Sequence, residues 1–101
     1  WKAPDADAVN AVVGGLLAEN SDNYAYMLSR CTDGAAELLR AIAAERVVNE
    51  PLSADFARAH SLRAPSSVKY ALEKLLADEL LYQREDGYVI YDRFFGEWLA
   101  R

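Results

Sequence analysis

The chain has 101 residues, 52% of them hydrophobic, which suits one packed core and excludes a disordered tail. Its formal net charge of −5 works against non-specific attraction to phosphate backbones, and a single cysteine excludes an internal disulfide and a cysteine-rich metal site. No apolar run approaches the ~20 residues that a bilayer crossing needs and no signal peptide is recognisable, so the expected setting is the cytoplasm, away from membranes.

Pro4 and Asp5 form a helix start, with proline in the first turn and acids beside the positive end of the helix dipole. Ala8, Val9, Val12, Val13, Leu16 and Leu17 follow at helical spacing, interrupted by Gly14 and Gly15, which weaken a helix or permit a close crossing. "ENSDN" breaks this pattern, and Ser21 or Asp22 can cap the next element. "NYAYMLSRC" reads as a short helix with Tyr24, Met27, Leu28 and Cys31 on one side. Thr32 is the N-cap of a helix from Asp33 to about Arg46, whose apolar stripe is Ala36, Leu38, Leu39, Ile42 and Ala43. After the "NEPL" loop, Ser53 caps a helix that turns Phe56 and Ala57 inward. "HSLRAP" is a turn, Leu62 plugs the core, and Pro65 opens the next helix with Val68, Ala71, Leu72, Leu75 and Leu76 buried. Leu80 to Glu85 and Tyr88 to Asp92 flank Asp86-Gly87, a hairpin signal for a type I′ turn with those two residues at its centre. Asp92 caps a last helix carrying Phe94, Phe95, Trp98 and Leu99.

A helix, a short helix, a tight turn, a longer helix and a hairpin make a winged helix-turn-helix, mainly α with a small antiparallel β wing and preceded by N-terminal linker helices. The expected division is 1–32 for the linker helices and 33–101 for the winged helix-turn-helix. The chain opens at Trp1 without an initiator methionine, which leads to the expectation of a piece cut from a longer protein.

The charge is uneven along the chain. Residues 1–52 carry eight acids and four bases, whereas residues 53–101 carry eight acids and seven bases. The turn-bearing half is therefore nearly neutral, and its bases can gather on one face. If the helix at 65–78 enters a DNA major groove and the wing at 81–92 touches backbone, the contacts fall to Arg63, Ser66, Ser67, Lys69, Tyr70, Lys74 and Arg84. Glu73, Asp78, Glu85 and Asp86 lie among these bases and oppose that use. The aromatic group Tyr88, Tyr91, Phe94, Phe95 and Trp98 is either core or, in part, an interface to another part of the protein, for which the candidates are Tyr91, Phe94, Phe95 and Trp98. His60 is the lone histidine and sits where a cation suits a helix end, and no phosphate loop of the G-x-x-x-x-G-K-[ST] form occurs. No catalytic, metal or cofactor residue is assigned, and the chain by itself is not expected to be an enzyme.

"AAELLRAIAAE" at 35–45, "SLRAPSSVKYALEKLLADELL" at 61–81 and "GYVIYDRFFGEWL" at 87–99 together resemble the C-terminal winged-helix region of the archaeal-type AAA+ ATPases, also common as prokaryotic ATP-binding proteins. Tyr91, Asp92, Phe94, Phe95 and Trp98 match the closing pattern of that family, and "NYAYMLSRCT" resembles its connecting helix. The resemblance implies an ATPase parent whose ATP and Mg sites lie upstream. It also implies two alternatives for this module: contact with double-stranded DNA, or packing on the ATPase domain or another protein to regulate it.

Overall fold

A computed structural model of the chain describes residues 14, 15 and 17–101. The helix start expected at Pro4 and Asp5, and the stripe residues Ala8, Val9, Val12, Val13 and Leu16, lie outside the described residues. Helix α1 spans Ser21–Ser29, α2 Asp33–Glu45, α3 Ala54–Ala59 and α4 Pro65–Ala77. Strands β1 (Leu81–Arg84) and β2 (Gly87–Ile90) follow, and α5 (Arg93–Ala100) ends the chain.

Three helix starts are set by the side chains that the sequence places there. Thr32 Oγ1 accepts from the Ala35 amide at 3.2 Å, and Ser53 Oγ accepts from the Phe56 amide at 3.2 Å. Asp92 Oδ1 takes two amides, Phe94 at 2.9 Å and Phe95 at 3.2 Å. Each cap satisfies amides that a first turn would otherwise leave without a partner, and is worth about 1 kcal/mol. α4 starts differently: Ala64 offers no side-chain cap, and Pro65 supplies the preset φ. Neither Ser21 nor Asp22 caps α1. Asn20 takes the cap position without a side-chain cap bond, and Ser21 Oγ instead accepts from Trp98 Nε1 at 3.2 Å.

The helix ends of the turn unit follow one rule. Leu62 N donates to Ala57 O at 2.9 Å across Ser61 at φ 52°, and Leu80 N donates to Leu75 O at 3.0 Å across Glu79 at φ 61°. Both are Schellman closures, in which one left-handed residue turns the chain and the next residue folds back on the helix. That is why Leu62 and Leu80 pack against the core.

α2 is the central element. Ala35, Leu38, Leu39, Ala41, Ile42 and Ala43 are buried along it, and α4, α5 and β2 all pack on it. β1 and β2 pair antiparallel, with Leu81 opposite Ile90 and Arg84 opposite Gly87. Val48 adds a third, one-residue strand through two bonds with Tyr88, Val48 N to Tyr88 O at 3.1 Å and Tyr88 N to Val48 O at 2.8 Å. The order helix, short strand, helix, helix, hairpin is the expected winged helix-turn-helix. α1 packs on α5 through Tyr24, whose ring centroid lies 5.5 Å from Phe95 and 5.8 Å from Trp98. Leu17 and Tyr24 therefore belong to the same buried cluster as α2 and α4.

The hairpin turn departs from expectation. Glu85 and Asp86 occupy its two central positions, and neither has positive φ. Gly87 is already the first residue of β2, at φ 139°, and an added Cβ there would lie 2.6 Å from the Val48 carbonyl oxygen. The two central positions of the turn do not call for a glycine; the φ of 139° at the residue that closes it, and the close approach of β2 to the Val48 strand, do.

Candidate functional site

Two surfaces can carry recognition, and they differ in charge. The first is the exposed side of α4 with the preceding turn and the wing. Ser66, Ser67, Lys69, Tyr70 and Lys74 are all exposed on α4, with Tyr70 at 69%. The cations expected to meet phosphate are largely engaged. Arg63 forks onto Glu37 of α2 through Nε at 3.1 Å and Nη2 at 3.3 Å. Lys74 Nζ lies 3.4 Å from Asp78, and Arg84 forks onto Asp86 at 2.9 and 2.7 Å. Lys69 has no acid within ion-pair distance among the described residues. These four bases stand among five acids, namely Glu37, Glu73, Asp78, Glu85 and Asp86. Exposed pairs of this kind are weak, about 0–1 kcal/mol, so a phosphate could displace them. The displaced carboxylates would stay beside the phosphate, however, and repel it.

The second surface is the outer face of the wing where it meets α5. Strand alternation puts Tyr82, Arg84 and Val89 on the side away from the core residue Leu81. Tyr82 and Tyr91 meet edge-on with centroids 5.7 Å apart. Tyr91 is 67% exposed and Phe94 44%. Between the wing and α5 lies a cleft of about 340 Å³ with an apolar floor at Val47 and Val89. Arg46, Arg84 and Arg93 line it, with Glu97 as its acid.

Of the aromatic residues assigned to an interface, Tyr91 and Phe94 are outside. Phe95 is corrected to the core: it is 1% exposed, because the N-cap at Asp92 fixes the helix phase so that residue 95 faces α2. Trp98 is half-buried against Tyr24 and Ser21. Arg46, Tyr82 and Arg93 were not singled out by the sequence. They come from the end of α2, from β1 and from α5, so no local spacing relates them.

Arg46 reaches the cleft through an unusual backbone. Its φ of 69° and ψ of −49°, with Val47 N bonded to Glu45 O at 2.8 Å, form a γ-turn of the rare positive-φ kind. Its guanidinium pairs with Glu97. That bond holds the Glu97 carboxyl below the ordinary glutamate range against the opposing effect of burial, and the charges of Arg46, Arg101 and Arg93 add to it. The pairing therefore stabilises the fold at neutral pH and is lost as pH falls through the lowered midpoint. Arg46→Gln should return the Glu97 midpoint upward toward the ordinary range, as read by carboxyl-carbon NMR across an acid titration. An unchanged midpoint would show that the pair does not persist in solution.

Other reactive side chains are occupied. His60 Nε2 lies 2.7 Å from Glu45 Oε2, and the ring packs on Phe56 at 4.8 Å. Burial, then the Asp78 charge, pushes the Cys31 thiol up, and Sγ donates to Met27 O at 3.6 Å. No group of His, Cys, Asp and Glu among the described residues could hold a metal ion, and no described helix is long and apolar enough to cross a membrane.

Residues 22–101 match the family model described as "Probable winged helix domain". The chain belongs to this winged-helix family. The match begins inside α1, so the winged helix as a family unit includes most of that helix. None of the curated proteins and none of the solved structures compared with this winged helix matches it.

Proposed function

We propose that this winged helix is a protein-docking module that uses the aromatic face of the wing and α5, with no catalytic step of its own. One observation carries the reading. Of the four cations on α4, the turn and the wing, Arg63, Lys74 and Arg84 are held by carboxylates and Lys69 is not, whereas Tyr82, Tyr91 and Phe94 stand exposed on the wing and α5. Tyr82 and Tyr91 meet edge-on, and an exposed aromatic group of this kind marks an interaction surface. The sequence resemblance makes the ATPase domain of an AAA+ parent the first partner to test, with ATP and Mg bound there and not in this module. Tyr91→Ser with Phe94→Ser in that parent should change ATP turnover in the same direction as deleting the module. Both positions are exposed, so the fold is retained. Equal turnover in all three proteins would overturn the reading.

Lys69 and Tyr70, exposed beside Ser66 and Ser67, support double-stranded DNA as the second reading. Its test is a duplex titration at low salt, where electrostatic binding is strongest. Binding that disappears with Lys69→Ala and Lys74→Ala would favour DNA over docking.

A further inference from the structure

We infer that the cleft between the wing and α5 binds an acidic peptide segment carrying one apolar anchor residue. This rests on the docking reading and adds the chemistry of the partner. The chain has 11 bases and a net charge of −5, yet three of those bases, Arg46, Arg84 and Arg93, line this one cleft. Arg46 already neutralises Glu97, and Arg84 neutralises Asp86. Arg93 is exposed and acts on Glu97 through its charge, but it has no acid within ion-pair distance among the described residues, so its guanidinium can still fork onto an incoming carboxylate. Guanidinium groups bind carboxylates in a two-point fork, and such charge-assisted bonds are stronger than neutral ones.

The rest of the cleft defines the remaining features of the ligand. Val89 on the floor and the Tyr82–Tyr91 wall form an apolar seat, and about 340 Å³ accepts one large side chain. The positive φ of Arg46 is a second sign of use. A side-chain-bearing residue held there is strained, and such residues cluster at functional sites. A nucleic acid fits less well. A phosphate chain needs several available cations in a row. Here Arg46 and Arg84 are already held by Glu97 and Asp86, so a phosphate chain would find Arg93 alone, whereas one carboxylate beside an apolar side chain needs only that one cation.

The test is a fluorescent peptide with one Glu on each side of one Phe in an otherwise neutral sequence, titrated into the 101-residue chain and followed by anisotropy. Amide shifts in the labelled chain report the location. The expected result is saturable binding, shifts at Val89, Tyr91 and Arg93, and no binding of a counterpart with Lys in place of the acids. Arg93→Gln should weaken binding by about tenfold, as expected for one lost charge-assisted hydrogen bond, while Arg93→Lys retains most of it. Arg93 is exposed at the start of α5, so both variants fold. Equal binding of the acidic and basic peptides would overturn the proposal, as would an unaffected Arg93→Gln or stronger binding of single-stranded oligo(dT). Such a result leaves the docking reading standing if Tyr91→Ser with Phe94→Ser still alters turnover of the parent. If turnover is unaffected as well, both ideas fail.

Discussion

Phe95→Ala is expected to remove about 3–5 kcal/mol of folding stability, the usual cost of deleting a fully buried aromatic ring. Phe95 is the largest of the fully buried side chains, at 1% exposure. It stacks on Trp98 with centroids 6.2 Å apart and touches Tyr24 at 5.5 Å, so it joins α1 and α5 to the core. Domains of this size are stable by only about 5–15 kcal/mol, so the loss is a large share of the total. The melting temperature should fall by roughly 4–8 °C for each kcal/mol lost. Urea unfolding followed by circular dichroism measures this directly. Phe94→Ala is the control, since Phe94 is 44% exposed and its removal should stay near about 0.5 kcal/mol. Two adjacent phenylalanines then differ severalfold in their contribution to stability. Equal losses at both positions would mean that α5 is rotated relative to the packing described above.

The contrast between Phe94 and Phe95 also marks how far the sequence can be read. The N-caps at Thr32, Ser53 and Asp92 were legible, because a hydroxyl or carboxylate before an apolar-periodic run has one favourable use. The stripes of α2 and α4 were legible for the same local reason. The helix ends were not. Arg46, Ser61 and Glu79 all take positive φ, and none is the glycine that would signal it. Tertiary packing of Leu62 and Leu80 offsets that local cost, and packing does not show in a short window of sequence.

The candidate sites divide in the same way. Lys74 with Asp78 and Arg84 with Asp86 are close neighbours in sequence, and their mutual neutralisation could be foreseen. The fork from Arg63 to Glu37 joins residues 26 apart and needs the fold. The cleft combines Arg46, Tyr82 and Arg93 only once β2 and α5 have both packed on α2. Counting strand register back from the hairpin would have put Tyr82 on one face with Val89, but nothing local pairs either with Arg46.

Gly87→Ala is the other substitution expected to have a large effect, and it tests why the wing holds together. The new Cβ would lie 2.6 Å from Val48 O, 2.7 Å from Val48 C and 2.9 Å from Asn49 N. All three are backbone atoms, so no side-chain rotation relieves the contact and β2 must move away from Val48. The φ of 139° adds its own strain for any residue with a side chain. That strain and the two lost Val48–Tyr88 hydrogen bonds together come to roughly 2–5 kcal/mol. Hydrogen exchange locates the damage: the Val48 and Tyr88 amides, which bond to each other's carbonyls, should lose protection first. Gly15→Ala is the matching control. It is helical with nothing within 4 Å of the added Cβ, and should be neutral or stabilising by up to about 1 kcal/mol. Loss of protection at Val48 and Tyr88 in Gly87→Ala, with Gly15→Ala unaffected, is therefore the expected outcome, and protection retained in Gly87→Ala would mean that β2 does not approach Val48 this closely.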